Sequence, residues 1–132
     1  MAETPIAADI QLDRGTLVVL AGPQGCGKSR LAQRIADSRG RYATVDAPDL
    51  VNKPVMNSIL RGKPQTLIVD GDPSWEGFEV LKALLTSDAT VTTRWWFLSS
   101  AVRTPDILLT TCNEPLYRGM RRARVFPIKH TA

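Results

Sequence analysis

Three glycines packed between an apolar run and an amphipathic pattern constrain this chain more than any other feature. Thr16–Ala21 (TLVVLA) has the length of a strand and is apolar from Leu17 onward, the pattern of a strand buried on both faces of a sheet. Lys28–Arg39 places Leu31, Ala32, Ile35 and Ala36 on one side of a helical period, and Gly40 is placed to end that helix. Between them stand Gly22, Pro23, Gln24, Gly25, Cys26 and Gly27, followed by Lys28, Ser29 and Arg30. Glycines here let backbone N–H groups approach a ligand without Cβ interference, and a helix N-terminus adds partial positive charge. A strand, such a loop and a helix in this order form a cradle for phosphate. The competing reading is a glycine-rich turn that happens to end in Lys-Ser.

Gly22–Ser29 fits G-x-x-x-x-G-K-[ST], the phosphate loop of nucleotide-binding proteins. On that reading Lys28 reaches the outer phosphates of ATP and the Ser29 hydroxyl is a ligand for Mg²⁺. A metal held this way needs an acid nearby. Thr66–Val69 is a buried strand that delivers Asp70 at its C-terminal end, where ligands bind in open α/β sheets. Asp70 is expected to hold Mg²⁺ through water; the alternative is a turn residue at a strand end. Many ATPases of this class place a second acid directly after the first. Gly71 occupies that position, and the next acid is Asp72. Two readings of Asp72 are open: it orients the attacking water, or it caps a helix that starts at Pro73. Glu76 is a weaker substitute for the first role.

Further strands are expected at Tyr42–Asp46, Asp106–Thr111 and Arg124–Ile128. A short helix fits between Pro54 and Gly62, carrying Val55, Met56, Ile59 and Leu60. Trp75, Phe78, Leu81 and Leu85 fit a helix over 74–86, and residues 90–103 read as a hairpin or an irregular excursion. Alternating strands and helices imply an α/β fold: a P-loop NTPase with a mainly parallel central sheet of about five strands flanked by helices. With 132 residues the chain is expected to form one domain over 16–132 after a lead-in at 1–15.

Charge adds a partner. Residues 1–88 carry ten basic and eleven acidic groups, net −1, whereas residues 89–132 carry seven and two, net +5. After Glu114 no acid follows, while Arg118, Arg121, Arg122, Arg124 and Lys129 do. A basic end on a near-neutral body points to a polyanion, nucleic acid or phosphate; a solvated basic tail is the other reading. Arg94 and Trp95, beside Trp96 and Phe97, suit single-stranded nucleic acid, since bases stack on indoles and arginine meets phosphate. At least one of these tryptophans is expected in the core instead. No apolar run approaches the length of a membrane span, and the acidic N-terminus lacks the apolar region of a secretory signal, so no membrane and a cytoplasmic location are expected. Cys26 and Cys112 are far apart, lie inside apparent core motifs and give neither a disulfide framework nor a metal spacing.

The order of these features resembles the superfamily-three helicases of small DNA viruses, phages and plasmids, which belong to the AAA+ class of P-loop ATPases. The resemblance covers residues 16–128 and rests most on Leu108-Leu109-Thr110-Thr111-Cys112-Asn113-Glu114-Pro115, after the acidic strand and the hairpin. It implies that Asn113 is a sensor contacting the γ-phosphate or the attacking water; the bland alternative is an Asx turn before Pro115. It also implies an arginine finger reaching a neighbouring subunit of a ring, with Arg124 the best match just before the fifth strand, and a DNA-gripping hairpin in which Arg94 stands where the family carries lysine or histidine. The chain departs from the family at Gly71, and its phosphate loop begins after only twenty-one residues. The expectation is a minimal nucleic-acid-dependent ATPase core acting in DNA replication or DNA handling. Two alternatives stand beside it. One is a small-molecule kinase using Asp46 or Asp49 with Arg118, Arg121 and Arg122. The other is a nucleotide-gated binding module without hydrolysis.

Overall fold

A computed structural model describes residues 16–23, 27–86, 90–91, 102–103, 105–120 and 123–128. The first strand, β1 (Leu17–Ala21), is buried along its whole length, as its unbroken apolar run requires. Helix α1 (Lys28–Arg39) follows and buries the four expected side chains, Leu31, Ala32, Ile35 and Ala36. Gly27 precedes α1 at φ 90°, a left-handed conformation that favours glycine, and its carbonyl accepts the first helical bond, from Leu31 N at 3.0 Å. Gly40, at φ 121°, ends α1.

Strand β2 (Tyr42–Asp46) leads through a 3-10 helix (Ala47–Val51) into α2 (Lys53–Arg61). The Asn52 side chain caps α2 by accepting from Val55 N at 3.3 Å. Met56 and Leu60 are the buried residues of its apolar stripe. Strand β3 (Thr66–Asp70) is buried except at Asp70. Helix α3 (Trp75–Thr86) begins after Ser74, whose hydroxyl accepts from Gly77 N at 3.2 Å. Two short strands, β4 (Thr90–Val91) and β5 (Val102–Arg103), pair antiparallel and bracket the expected hairpin. Strand β6 (Asp106–Thr111), a one-turn helix α4 (Glu114–Arg118) and β7 (Ala123–Pro127) complete the chain.

Five strands form one sheet in the order β2-β3-β6-β1-β7, every pair parallel. The fold is therefore α/β, a five-stranded parallel sheet flanked by helices. Side chains alternate between two cores, as the two-residue period of a strand dictates. Val18, Leu20, Ile68 and Leu108 pack with α1 on one face. Leu17, Val19, Leu67, Val69, Ile107 and Leu109 pack on the other face with the 3-10 helix, α2, α3 and Tyr117 of α4. Among the described residues no helix is long and apolar enough to cross a membrane.

The helix after β1 thus lies on one face and the helices after β3 and β6 on the other. Adjacent strands whose connections leave to opposite faces open a crevice at their C-terminal ends. Here the crevice lies beside β1 and β6, and it positions the site.

Four expectations change. The helix after β3 is capped by Ser74 and starts at Trp75, so Asp72 is not its cap and Pro73 is not its first residue. Arg124 lies inside β7, paired with Val18, because that strand starts one residue earlier than its apolar pattern indicates. Cys112 is exposed beyond the end of β6 and takes no part in the core. Trp75, counted on the apolar side of α3, is 78% exposed at the first position of that helix.

Candidate phosphate and metal site

The parallel register brings three strand ends to one level. Ala21 of β1 stands opposite Thr111 of β6, and Thr110 of β6 stands opposite Asp70 of β3. The chain leaving each strand is stitched to its neighbour, with Gly22 N donating to Thr111 O and Gly71 N to Thr110 O, both at 3.0 Å. Above these ends lies a cavity of about 920 Å³. Gly27, Lys28, Ser29 and Arg30 line it from the α1 side, and Asp70, Gly71, Thr110, Thr111 and Cys112 line it from the strand ends. Gln33, one turn beyond Ser29 and Arg30, completes the α1 wall.

The electrostatics of the two walls differ. The first turn of α1 contains no acidic residue, although carboxylates are favoured there by the helix dipole. Its partial positive charge is left to whatever enters the cavity, and Lys28 and Arg30 add to it. Lys28 Nζ lies 3.4 Å from both the Pro23 carbonyl oxygen and Cys112 Sγ, so the ammonium is folded across the loop mouth. On the opposite wall the Thr110 hydroxyl donates to Asp70 Oδ1 at 3.1 Å and fixes that carboxylate at the cavity edge.

Asp72 enters a second set of contacts. Its Oδ1 accepts from the Thr111 hydroxyl and from the Tyr117 hydroxyl, the latter at 2.7 Å. The Thr111 hydroxyl in turn accepts from Asn113 N at 2.8 Å. Tyr117 is fully buried, with its ring 5.9 Å from that of Phe78. Burial first, and then the Asp72 carboxylate, push its phenol far above the ordinary value of 10.0, so the hydroxyl remains a donor throughout the physiological range.

Gly71 has its own explanation. Its φ is 100°, where L side chains are strained, and its N–H is committed to Thr110. A second acid directly after Asp70 would therefore be strained by backbone conformation, and the next acid in the chain is Asp72.

The remaining expected residues fall as follows. Asn113 is exposed at the start of α4 and uses its backbone, not its side chain, in the network, so it forms no side-chain cap. Arg124 sits toward the start of β7, with its guanidinium 5.4 Å from the Phe126 ring centre, and is not part of the cavity wall. Glu76 lies in the first turn of α3, also outside that wall. Gln24, Gly25 and Cys26 of the loop lie outside the described residues, as do Arg94, Trp95, Trp96, Phe97, Arg121 and Arg122. Sequence reasoning missed Gln33, Thr110, Thr111 and Tyr117 as parts of the site. Two hydroxyls ending a buried strand are a usable signal for the threonines, and the one-turn spacing from Ser29 is one for Gln33. Tyr117 has no local signal.

No protein-family model and no curated protein matches this chain. A solved structure described as "The A form apo structure of NrS-1 C terminal region-CTR" is similar to it, with a TM-score of 0.58 and 17% sequence identity. The match covers 89% of this chain and 29% of that one, so the chain spans less than a third of the matched structure. At that identity the likeness is one of fold.

Proposed function

We propose that the chain is a P-loop, AAA+-like ATPase core that binds ATP with Mg²⁺, hydrolyses it, and couples hydrolysis to nucleic acid. The observation that carries this reading is that Lys28 and Ser29 from the start of α1 and Asp70 from the end of β3, two distant segments of the sequence, line one cavity at the C-terminal edge of a parallel sheet. The glycine loop and the N-terminus of α1 offer N–H donors to the phosphates, and Lys28 swings from Pro23 and Cys112 to the outer ones.

The donor set suits Mg²⁺. The ion prefers oxygen, keeps several waters and needs only one or two carboxylates beside substrate phosphates. Ser29 and Asp70 supply one hydroxyl and one carboxylate. Among the described residues no group of three or more His, Cys, Asp or Glu side chains gathers. When bound, the metal neutralises phosphate charge.

Hydrolysis breaks the bond between the γ-phosphorus and its bridging oxygen as water attacks, with ADP leaving on the electron pair. Asp72 orients that water and takes its proton, Asn113 contacts the γ-phosphate from the end of β6, and Arg124 of one copy approaches the nucleotide of a neighbouring copy in a ring. Single-stranded nucleic acid is the polyanion that the net charge of +5 over residues 89–132 serves, with Arg94 and Trp95 as its contacts.

The test measures ATP binding and turnover by the chain with and without single-stranded DNA, across a salt series, beside Lys28→Ala. Turnover that DNA stimulates in a salt-sensitive way, and that Lys28→Ala abolishes, supports the reading. Tight Mg-ATP binding by Lys28→Ala, or ADP release that requires a small hydroxylated substrate and ignores DNA, overturns it.

A further inference from the structure

Among the described residues Tyr117 is the largest fully buried side chain, and its hydroxyl is spent on an exposed carboxylate. Tyrosine is a costly choice for a packing role, because a buried hydroxyl must find a partner and phenylalanine would fill the same space. The partner it finds is Asp72, forty-five residues earlier in the chain. The same oxygen accepts from Thr111, which lines the phosphate cavity and also receives Asn113 N–H. One carboxylate oxygen therefore ties together the segment after β3, the end of β6 and the body of α4.

We infer that Tyr117 is a positioning residue for hydrolysis: with Thr111, which lines the cavity, it clamps one oxygen of Asp72, a carboxylate that stands one residue later than the usual place and is tied to the cavity wall through Thr111. The inference rests on the ATPase reading and adds to it a residue with no motif of its own. It follows from Gly71. Because that residue is left-handed and cannot carry the second acid without strain, the acid sits on a longer tether, and a longer tether needs fixing from outside its own strand. Two hydroxyl donors on one oxygen do that. Thr111 also links the clamp to Asn113, so the two groups assigned to water and γ-phosphate share one hydroxyl.

The test uses the full chain and compares ATP turnover and Mg-ATP affinity for the unaltered protein, Tyr117→Phe, Asp72→Asn and the double variant, with thermal midpoints recorded for each. Phenylalanine keeps the ring against Phe78, so a role in packing alone predicts no loss of turnover. The inference expects Tyr117→Phe to bind Mg-ATP as tightly as the unaltered chain while kcat falls by about tenfold or more, the usual cost of losing an outer partner of a reacting group. It expects the double variant to be no slower than Asp72→Asn, because both changes act through one carboxylate. Thr111→Val removes the other donor at nearly constant volume, serves if Tyr117→Phe does not fold, and is expected to lower kcat likewise. Unchanged kcat in the folded Tyr117→Phe or Thr111→Val variant, or losses that multiply in the double variant, overturn this inference and leave the ATPase reading standing. An unaltered chain that binds Mg-ATP without turning it over overturns both.

Discussion

Lys28 Nζ and Cys112 Sγ face each other at 3.4 Å at the cavity above the strand ends, one from the start of α1 and the other from just beyond β6. The thiol is exposed and free, so it is open to alkylation where the ammonium must move to meet phosphate. Iodoacetamide at Cys112, with the labelled residue located by peptide mass mapping, is expected to weaken ATP binding by about tenfold, or 1.4 kcal/mol. Saturating Mg-ATP is expected to slow the labelling. Equal labelling rates with and without nucleotide, together with unchanged affinity after labelling, would contradict the site as placed.

Asp70 accepts from the Thr110 hydroxyl and remains exposed at the cavity edge. In Asp70→Asn the side-chain oxygen still accepts from Thr110, so the fold is expected to survive with a stability change within about 1 kcal/mol. The charge is lost, and the increase in ATP affinity on adding Mg²⁺ is expected to shrink by about tenfold. Nucleotide titrations with Mg²⁺ and with a chelator check this. A magnesium effect of the same size in both proteins would remove Asp70 from the metal site.

Gly71 turns the chain between the two acids at φ 100°, with its N–H bound to Thr110 O. Space is not the obstacle to a side chain here: a Cβ would sit 3.8 Å from that of Ala47, an ordinary contact. Conformation is. Gly71→Ala is expected to cost about 1–2 kcal/mol in urea unfolding, and Gly71→Asp, which would restore paired acids, should lose stability in the same way. Full stability in both variants would show that the turn tolerates a side chain after all.

Local chemistry explains what could be read in advance. Lys28–Arg39 is long enough for its apolar period to show, and glycine stands at each end, so its bounds agree with the structure. Tyr42–Asp46 and Asp106–Thr111 likewise coincide with β2 and β6. The 3-10 helix at Ala47–Val51 and the one-turn α4 are too short to carry a period and were not legible. Asp70 and the glycine loop could be linked because strand ends of a parallel sheet share one edge. Asp72 could not be resolved, because its partners Thr111 and Tyr117 come from 39 and 45 residues away and only the strand order brings them together. Trp75 misled for a related reason. It falls on the apolar period of α3, but at the first position of the helix it is left exposed.

Tyr117 also makes stability depend on alkaline pH in a defined sense. Burial and then the Asp72 carboxylate raise its phenol well above 10.0 in the folded protein, whereas the unfolded chain ionises near the ordinary value. Above that value the unfolded state holds fewer protons than the folded one, so stability falls as pH rises. The contribution is fully present below pH 10.0 and is lost progressively above it. Tyr117→Phe lacks this group. The stability difference between the unaltered chain and Tyr117→Phe should therefore be constant up to about pH 9.5 and then shrink, or reverse, by up to about 1.4 kcal/mol per pH unit. Urea midpoints for both proteins from about pH 8 to pH 11 measure it. Curves that stay parallel over that range would mean that the phenol ionises alike in the folded and unfolded chain, and so is not buried against Asp72.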